Sequence, residues 1–341
     1  MTHDASPMVT TYSMWNQFRN CRKAVEWRYL DHLVPLQRDR NLHFGSLIHE
    51  CLQSWHQRRD LAEVLALIDR LCPYRLQDEN QQRDWHLATA MMRAYAARYV
   101  EEEFEVVALE QVFEGPIVNP ATGAASRSFV LAGKVDGIVR IGGEYFILES
   151  KTASQIDSDY LERLWTDFQI TIYAHYIEQT MGMPITGILY NVLVKAKLQQ
   201  GKGETEDEFQ ARRADLLAKS KTGRTTAKRR MPETDDEFQQ RLAEKYADPA
   251  MFHREMLYLS RDRFEILRSE LWELTQAFLD ARRRGVFYQN TSFCFNYQRP
   301  CPYFALCRSN GNPNVIENFY QRAEPNEELR VLAAGAPEPA F

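Results

Sequence analysis

The first part of the chain alternates between apolar and polar positions at helical spacing. Between residues 45 and 55 the apolar side chains repeat every three or four positions, so they fall on one face of a predicted amphipathic helix. Residues 61–71 and 82–103 show the same period. Ser13 precedes another periodic segment and is a suitable helix N-cap, because its hydroxyl can accept from a free backbone N–H. Residues 1–10 show no such period and are predicted to be disordered.

The pattern then changes to one typical of strands. Three segments are rich in Val, Ile and Phe: residues 106–113, 128–139 and 144–149. Gly142 and Gly143 between the last two predict a tight hairpin turn. A helical pattern over 159–181 and an apolar run over 185–194 complete a predicted strand–helix–strand unit. We therefore expect an α/β fold with a mixed central sheet flanked by helices.

The remaining part of the chain is predicted to add an insertion and a C-terminal helix. Thr205 and Thr234 each precede a glutamate by three positions, the capping-box signature of a helix start. A long helix is predicted from about residue 260 to 284. We expect a single domain over residues 11–310, made of a helical part (11–105), a core (106–197), a polar and basic insertion (198–260) and a C-terminal helix with a cysteine-rich segment (261–310). Residues 311–341 are predicted to be mostly irregular.

Composition restricts the class of protein. The chain has 341 residues, of which 44% are hydrophobic and 12% aromatic, enough for a substantial core. It has no apolar run long enough for a membrane span and no signal-peptide layout, so we expect a cytoplasmic protein. Six cysteines in such a chain favour metal or iron–sulfur binding over disulfides. The net charge of −5 argues against a nucleic-acid binder, although an acidic total can contain a basic groove.

An acidic and lysine cluster lies on the predicted hairpin. Asp136 is on its first strand, and Glu149 and Lys151 are two apart on its second, so the last two side chains share one face. If the hairpin brings Asp136 beside Glu149, it creates an oxygen site suited to Mg²⁺ or Mn²⁺, which can activate water for phosphodiester hydrolysis. In isolation such residues more often form a surface strand pair. The apolar run before Glu149 favours the functional interpretation, because a carboxylate emerging from a buried segment requires a partner.

Four short motifs occur in order along the chain: Gly45-x-x-x-His49-Glu50, Gly133-Lys134-Val135-Asp136-Gly137, Glu149-Ser150-Lys151 and Gln169-x-x-x-Tyr173. Taken alone, His49 is more simply an ordinary histidine at the edge of the core, and Gln169 with Tyr173 is a helix-packing pair. Together the four motifs resemble the PD-(D/E)xK nuclease superfamily and, within it, the RecB-like branch.

The resemblance implies a restriction-endonuclease-like fold and a role for each motif. It implies a metal ion bound by His49, Asp136, Glu149 and the backbone carbonyl of Ser150. It also implies that Lys151 orients the attacking water or contacts the scissile phosphate. Gln169 and Tyr173, one helical turn apart, would then position DNA or the catalytic lysine.

Four cysteines bracket these motifs. Cys294, Cys301 and Cys307 lie close together in sequence, whereas Cys21 comes from the N-terminal segment. Such a set can hold Zn²⁺ or an iron–sulfur cluster, with buried free thiols as the remaining possibility. The one-plus-three layout fits zinc poorly, because zinc sites usually draw on two close pairs.

The cysteine layout resembles the iron–sulfur-bearing subset of RecB-like nucleases, including AddB and the CRISPR-associated RecB-like exonucleases. That resemblance implies a [4Fe–4S] cluster, although the spacing between Cys294 and Cys301 is longer than the usual Cys-x2-Cys. A cluster there would join the two ends of the domain and stabilise the fold. Cys51 and Cys72 are expected to be core residues.

Basic residues outside the motifs are the candidate DNA contacts. Lys195 and Lys197 alternate at the end of a predicted strand. A basic tract without an acidic residue contains Lys219, Lys221, Arg224, Lys228, Arg229 and Arg230. Such a tract is as often a solvated loop as a binding site; in a nuclease it would hold phosphates irrespective of sequence.

These features predict a metal-dependent deoxyribonuclease, acting as an exonuclease on single-stranded or frayed DNA ends in recombination, repair or DNA processing. One alternative is an endonuclease or adaptation factor that depends on recombination or CRISPR partners. A second is a catalytically silent DNA-binding clamp, and a third is a zinc-binding structural protein. The complete set of His49, Asp136, Glu149 and Lys151 disfavours the clamp.

Overall fold

The computed structural model describes residues 6–37, 40–296, 299–324, 326 and 329. Its α-helices are α1 (Tyr12–Asn20), α2 (Arg22–Val25), α3 (Arg40–Arg58), α4 (Leu61–Leu71), α5 (Glu79–Arg98), α6 (Ser158–Leu164), α7 (Phe168–Met181), α8 (Glu206–Lys219), α9 (Asp235–Tyr246), α10 (Asp262–Arg284), α11 (Phe304–Arg308) and α12 (Pro313–Phe319). Its strands are β1 (Met8–Thr10), β2 (Leu33–Pro35), β3 (Glu105–Val118), β4 (Ala125–Ile141), β5 (Glu144–Ala153), β6 (Ile185–Val194), β7 (Phe252–Tyr258), β8 (Phe295–Asn296), β9 (Arg299–Pro300) and β10 (Tyr320–Arg322). Short helices of other types cover Glu26–Leu30, Pro249–Met251 and Thr291–Phe293.

Six strands form one mixed sheet around β4 and β5. Strand β4 pairs antiparallel with β3 and β5 and parallel with β1. Strands β5 and β6 are parallel, and β6 and β7 are antiparallel. The mixed central sheet flanked by helices, which the sequence predicted, is confirmed.

The connections beside β5 follow from its sequence surroundings. Gly142 and Gly143 have φ angles of 56° and 90°, left-handed values that glycine adopts without steric cost, and they join β4 to β5 in a tight turn. After β5 the chain passes through α6 and α7 and returns as the parallel strand β6. The predicted hairpin and strand–helix–strand unit are both confirmed, except that the single helix predicted over 159–181 is divided into α6 and α7 at residues 165–167.

Apolar helix faces cover both sides of the sheet. Helices α1, α7 and α10 share one core with inner strand residues, and Ile172 and Phe278 are fully buried there. Helices α3, α4, α5 and α9 form a second core, in which Ile48, Met91 and Leu242 are fully buried. Burying each such side chain stabilises the fold by about 1.5–3 kcal/mol. The site-bearing strands are thus held between two helical layers.

The predictions of irregular structure at the two ends of the chain, residues 1–10 and 311–341, are each wrong over part of their range. Residues 8–10, predicted to be disordered, form β1, and Thr10 donates a 2.8 Å hydrogen bond to the carbonyl of Val130. Within the predicted irregular tail, residues 313–322 form α12 and β10, because Tyr320 is buried and β10 pairs with β2. Residues 1–5 and all from 325 onward except Asn326 and Leu329 lie outside the described residues.

The predicted insertion over 198–260 contains one strand of the central sheet. Thr205 and Thr234 begin α8 and α9 with complete capping boxes, as predicted. Residues 252–258, however, form β7 beside β6. Polar residues such as Arg254 interrupt the apolar pattern of β7, so the sequence did not indicate a sheet strand.

The helix boundaries differ from the predictions by a few residues. The N-cap of α1 is Thr11, whose hydroxyl accepts from the backbone N–H of Met14 at 3.3 Å, and the prediction of Ser13 is wrong. Helix α3 begins at Arg40, five residues before its predicted start at Gly45. Helix α5 ends at Arg98, before the predicted end at residue 103. The predicted helix over 260–284 is confirmed as α10.

Candidate active site

Asp136 lies where two strands separate. On β4, residues 137–141 pair with β5, starting at the pair Gly137 and Leu148. Nearer the N-terminal end of β4, residues 129–131 pair with β1 instead. Asp136 falls between these two pairings. The backbone N–H of Ser150 on β5 donates a 2.7 Å hydrogen bond to its Oδ2. The carboxylate therefore occupies the position where a backbone ladder bond would otherwise form.

Helix α3 places His49 against the same carboxylate. The Nδ1 atom of His49 lies 3.1 Å from Oδ1 of Asp136. Burial alone would depress the pKa of His49, but the charge and hydrogen bond of Asp136 outweigh it and raise this pKa above its ordinary value. Burial opposes ionisation of Asp136, yet His49 and the Ser150 N–H hold its pKa below the usual range.

Glu149 is a buried carboxylate with one oxygen unpaired. Its side chain is 9% exposed, and its Oε1 accepts a 2.6 Å hydrogen bond from Nζ of Lys151. Its Oε2 has no hydrogen-bond donor among the described residues. Burial raises the pKa of Glu149 to about 7 despite the neighbouring lysine. A buried carboxylate oxygen without a donor is destabilising unless a cation or water satisfies it.

The Gln169 motif contacts the lysine directly. The Nζ atom of Lys151 donates to Oε1 of Gln169 at 3.0 Å, and Nε2 of Gln169 donates to the Tyr173 hydroxyl at 2.6 Å. Gln169 stands in the first turn of α7, where Asp167 caps the helix by accepting its backbone N–H at 2.9 Å. Burial opposes the charged form of Lys151, but Glu149 raises the pKa of this ammonium above its ordinary value.

The sequence-predicted site residues thus converge in one place. His49, Asp136, Glu149, Ser150, Lys151, Gln169 and Tyr173 are joined by hydrogen bonds or chain adjacency. Within the described ranges, no three His, Cys, Asp or Glu side chains are close enough together to hold a metal ion as they stand. The donor types nevertheless fit Mg²⁺ or Mn²⁺, and the unpaired Oε2 of Glu149 is an available oxygen ligand.

A polar network behind β5 was not predicted. Asn191, 1% exposed on β6, lies opposite Ser150 and donates to the Ser150 hydroxyl at 3.4 Å and to the Tyr95 hydroxyl at 3.1 Å. The signal in the sequence was an asparagine in the middle of the apolar run Ile185–Val194. A buried amide in such a run requires hydrogen-bond partners.

Cys21, Cys294, Cys301 and Cys307 are neighbours in the fold, although among the described residues no three of them are close enough to hold a metal ion as they stand. The backbone N–H of Asn290 donates to Sγ of Cys21 at 3.5 Å, and the N–H of Cys301 donates to the carbonyl of Cys294 at 2.8 Å. Burial raises the pKa of Cys301, and the other three thiols reinforce the shift. All six cysteines are free, and the other two, Cys51 and Cys72, are fully buried in the core.

The candidate DNA-contact residues fall into two groups. Lys195 is largely buried, with its Nζ atom 3.2 Å from Asp84 and 3.7 Å from the centre of the Phe44 ring, so its charge is directed inward. In the basic tract three residues form ion pairs within the insertion: Lys219, Arg229 and Arg230. Lys197 and the other three tract residues are exposed and have no ion-pair partner among the described residues: Lys221, Arg224 and Lys228.

Comparison with known protein families identifies the class of protein to which this arrangement belongs. Residues 10–308 match the PD-(D/E)XK nuclease superfamily, and the chain belongs to that superfamily. Nucleases of this superfamily commonly use Mg²⁺ or Mn²⁺. A search of curated proteins found no match. Across the described residues, no helix is both long and apolar enough to cross a membrane.

Proposed function

We propose that this nuclease is a Mg²⁺- or Mn²⁺-dependent deoxyribonuclease of the RecB-like branch. The unpaired, buried Oε2 of Glu149 carries the proposal, because it stands beside Lys151 and close to the His49–Asp136 pair. In this proposal His49, Asp136 and Glu149 bind the metal. The Ser150 carbonyl joins them, since the N–H and C=O of one strand residue point to the same side and its N–H faces Asp136.

The chain's own residues would then divide the chemistry between them. A bound Mg²⁺ or Mn²⁺ supplies an activated water and neutralises charge on the phosphate. Lys151, whose pKa is raised, stays an ammonium and acts as a donor to water or to a phosphate oxygen rather than as a base. Gln169, held by Tyr173, fixes the lysine in that position. His49 must lose its proton before it can ligate the metal.

The proposed mode is exonucleolytic attack on single-stranded or frayed DNA ends. The exposed cations Lys197, Lys221, Arg224 and Lys228 support sequence-independent contact with phosphates. Lys195 is better assigned to its buried ion pair with Asp84. An endonuclease or adaptation factor that requires recombination or CRISPR partners keeps the same site and differs only in requiring those partners.

We also propose that the four clustered cysteines bind a [4Fe–4S] cluster. The four thiols are free and lie near one another in the fold although Cys21 is far from the other three in the sequence. Both facts support a shared set of cluster ligands in a reducing, cytoplasmic setting. Anaerobically purified protein should be brown and contain about four irons per chain, and Cys301→Ala should lose the colour. Cys72→Ala is the matched control. Colourless protein containing one zinc per chain would contradict the cluster.

The nuclease assignment is tested with end-labelled single- and double-stranded DNA in Mn²⁺ or Mg²⁺. Wild type should release short products in a metal-dependent reaction, and Lys151→Ala and Glu149→Ala should not. The position of the label gives the polarity of digestion. If folded, iron-loaded wild type leaves both substrates intact, the chain is a partner-dependent factor or a binding clamp.

A further inference from the structure

A buried hydrogen-bond hub connects the two halves of the candidate active site. The Tyr95 side chain, on α5, is fully buried. Its hydroxyl oxygen accepts from Nδ2 of Asn191 at 3.1 Å and from Nη2 of Arg254 at 3.1 Å. The third contact of this hydroxyl is Nε2 of His56 at 3.3 Å. Three elements of the fold, β6, β7 and α3, therefore meet at one atom.

The direction of each hydrogen bond in the hub is determined. Asn191 and Arg254 can only donate to the phenol oxygen, so the hydroxyl hydrogen of Tyr95 is left for Nε2 of His56. His56 must therefore accept at Nε2 and carry its proton on Nδ1, an atom that lies 3.9 Å from Glu102 and has no hydrogen-bond partner among the described residues. Burial lowers the pKa of His56 to about 3, so the imidazole is neutral and suited to that role. Glu102 balances the charge of Arg254 through contacts of 2.5 and 3.0 Å.

Both ends of the network reach residues beside the metal-binding groups. Asn191 also donates to the hydroxyl of Ser150, the residue between Glu149 and Lys151. At the other end, His56 lies on the same helix as His49, two turns away and on the same face. We propose that Tyr95 is a positioning residue, whose hydroxyl holds the helix that carries His49 at a fixed distance from the strand that carries Glu149. This inference rests on the proposed function.

The chemistry of the hub favours a role for Tyr95 in positioning the metal-binding residues over a role in stabilising the fold alone. Replacing buried polar and ionic groups by well-packed apolar ones is often neutral or stabilising, so such a network adds little to stability by itself. The Tyr95 hydroxyl itself has all three of its hydrogen-bonding positions filled, by partners on three different elements, and such a centre favours one geometry. Partners behind metal ligands typically change metal affinity about 10- to 100-fold when they are removed.

The test compares Mn²⁺ binding by the full-length wild type and by Tyr95→Phe in the absence of DNA, with electron paramagnetic resonance reporting free Mn²⁺. We expect Tyr95→Phe to bind Mn²⁺ about 10-fold or more weakly, and to lower kcat while leaving KM for DNA unchanged. The control is Tyr246→Phe, in the same core, where the lost hydroxyl accepts, among the described residues, one hydrogen bond from the backbone N–H of Ala196 at 3.2 Å. This control should bind Mn²⁺ like wild type.

Each outcome decides the inference. Wild-type Mn²⁺ affinity in Tyr95→Phe would overturn it and leave the proposed nuclease function intact. Absence of Mn²⁺ binding by the wild type would overturn the proposed function and this inference with it. If Tyr95→Phe does not fold, Ser150→Ala removes only the acceptor for Asn191. It should weaken Mn²⁺ binding in the same direction, and Ser150→Thr, which restores a hydroxyl, should recover it; unchanged binding in Ser150→Ala would overturn the inference.

Discussion

The ammonium of Lys151 donates a 2.6 Å hydrogen bond to Oε1 of Glu149, and the second oxygen of that carboxylate has no donor among the described residues. The two side chains stand on one face of β5, with Ser150 between them on the other. One oxygen of Glu149 is thereby committed to the lysine, while the other stays available to a cation. In the proposed mechanism, this division lets one short strand segment serve both metal binding and phosphate chemistry.

Replacing Lys151 with Met should reduce the cleavage rate by about 100-fold or more, because the donor beside Glu149 is lost. Single-turnover digestion of end-labelled DNA at saturating Mn²⁺ measures the effect. Lys202→Met is the matched control, since Lys202 is exposed and pairs with Glu79 at 2.9 Å on the surface. Equal rates for the two variants would remove Lys151 from the mechanism.

Without metal, the free energy of unfolding should fall as the pH rises from about 5 to 8. In the folded chain burial raises the pKa of Glu149 to about 7, so the folded state keeps a proton that the unfolded state releases near pH 4.5. That contribution is complete below the unfolded pKa and is lost as the pH passes 7. His49, whose pKa is also raised, acts in the same direction.

Thermal melting in EDTA across this pH range checks the prediction. Glu149→Gln cannot titrate and should flatten the profile, leaving only the slope due to His49. A wild-type melting temperature that rises with pH between 5 and 8 would contradict the raised pKa of Glu149.

Gln169→Leu should lower kcat about 10- to 100-fold and leave DNA affinity unchanged, because the lysine loses the acceptor that orients it. Steady-state kinetics and fluorescence anisotropy with labelled DNA separate the two effects. Gln179→Leu, on the same helix but bonded to His175 at 3.1 Å, is the control. Weaker DNA binding with normal kcat would instead assign Gln169 to the substrate.

The three residues of the basic tract without an ion-pair partner among the described residues should account for most of its DNA affinity. Substituting alanine for Lys221, Arg224 and Lys228 together should weaken binding and reduce the salt dependence of log K by about 2 to 3. The triple variant of Lys219, Arg229 and Arg230 should change it less, because each of those side chains already has an acidic partner. Anisotropy titrations at several salt concentrations compare the two. Identical slopes would show that the tract does not contact DNA.

The residues of the candidate site could be predicted from the sequence because most of them lie close to their partners along the chain. Glu149 and Lys151 share a face through strand alternation, and Gln169 and Tyr173 share one through helical spacing, so both relations can be read from short segments. The contact between His49 and Asp136, 87 residues apart, followed only from the resemblance to a known superfamily. Periodicity alone does not bring a helix and a distant strand together.

The hub at Tyr95 could not be predicted for the same reason. Its members come from α3, α5, β6 and β7, and each is an ordinary residue in its own segment. Strand β7 was missed because its polar residues, Arg254 among them, face partners that only the folded chain supplies. The inward position of Lys195 likewise depends on Asp84, a residue from a distant helix.

The meeting of Cys21 with the segment that carries Cys294 and Cys301 has a consequence for synthesis of the protein. The Asn290 N–H that contacts Cys21 lies 269 residues farther along the chain. At about 5–20 residues per second, the nascent chain exposes Cys21 on the ribosome for roughly 15–55 s before its partners are translated. The contact between Cys21 and this segment therefore forms late in synthesis, and the proposed cluster requires Cys21 to stay reduced until then.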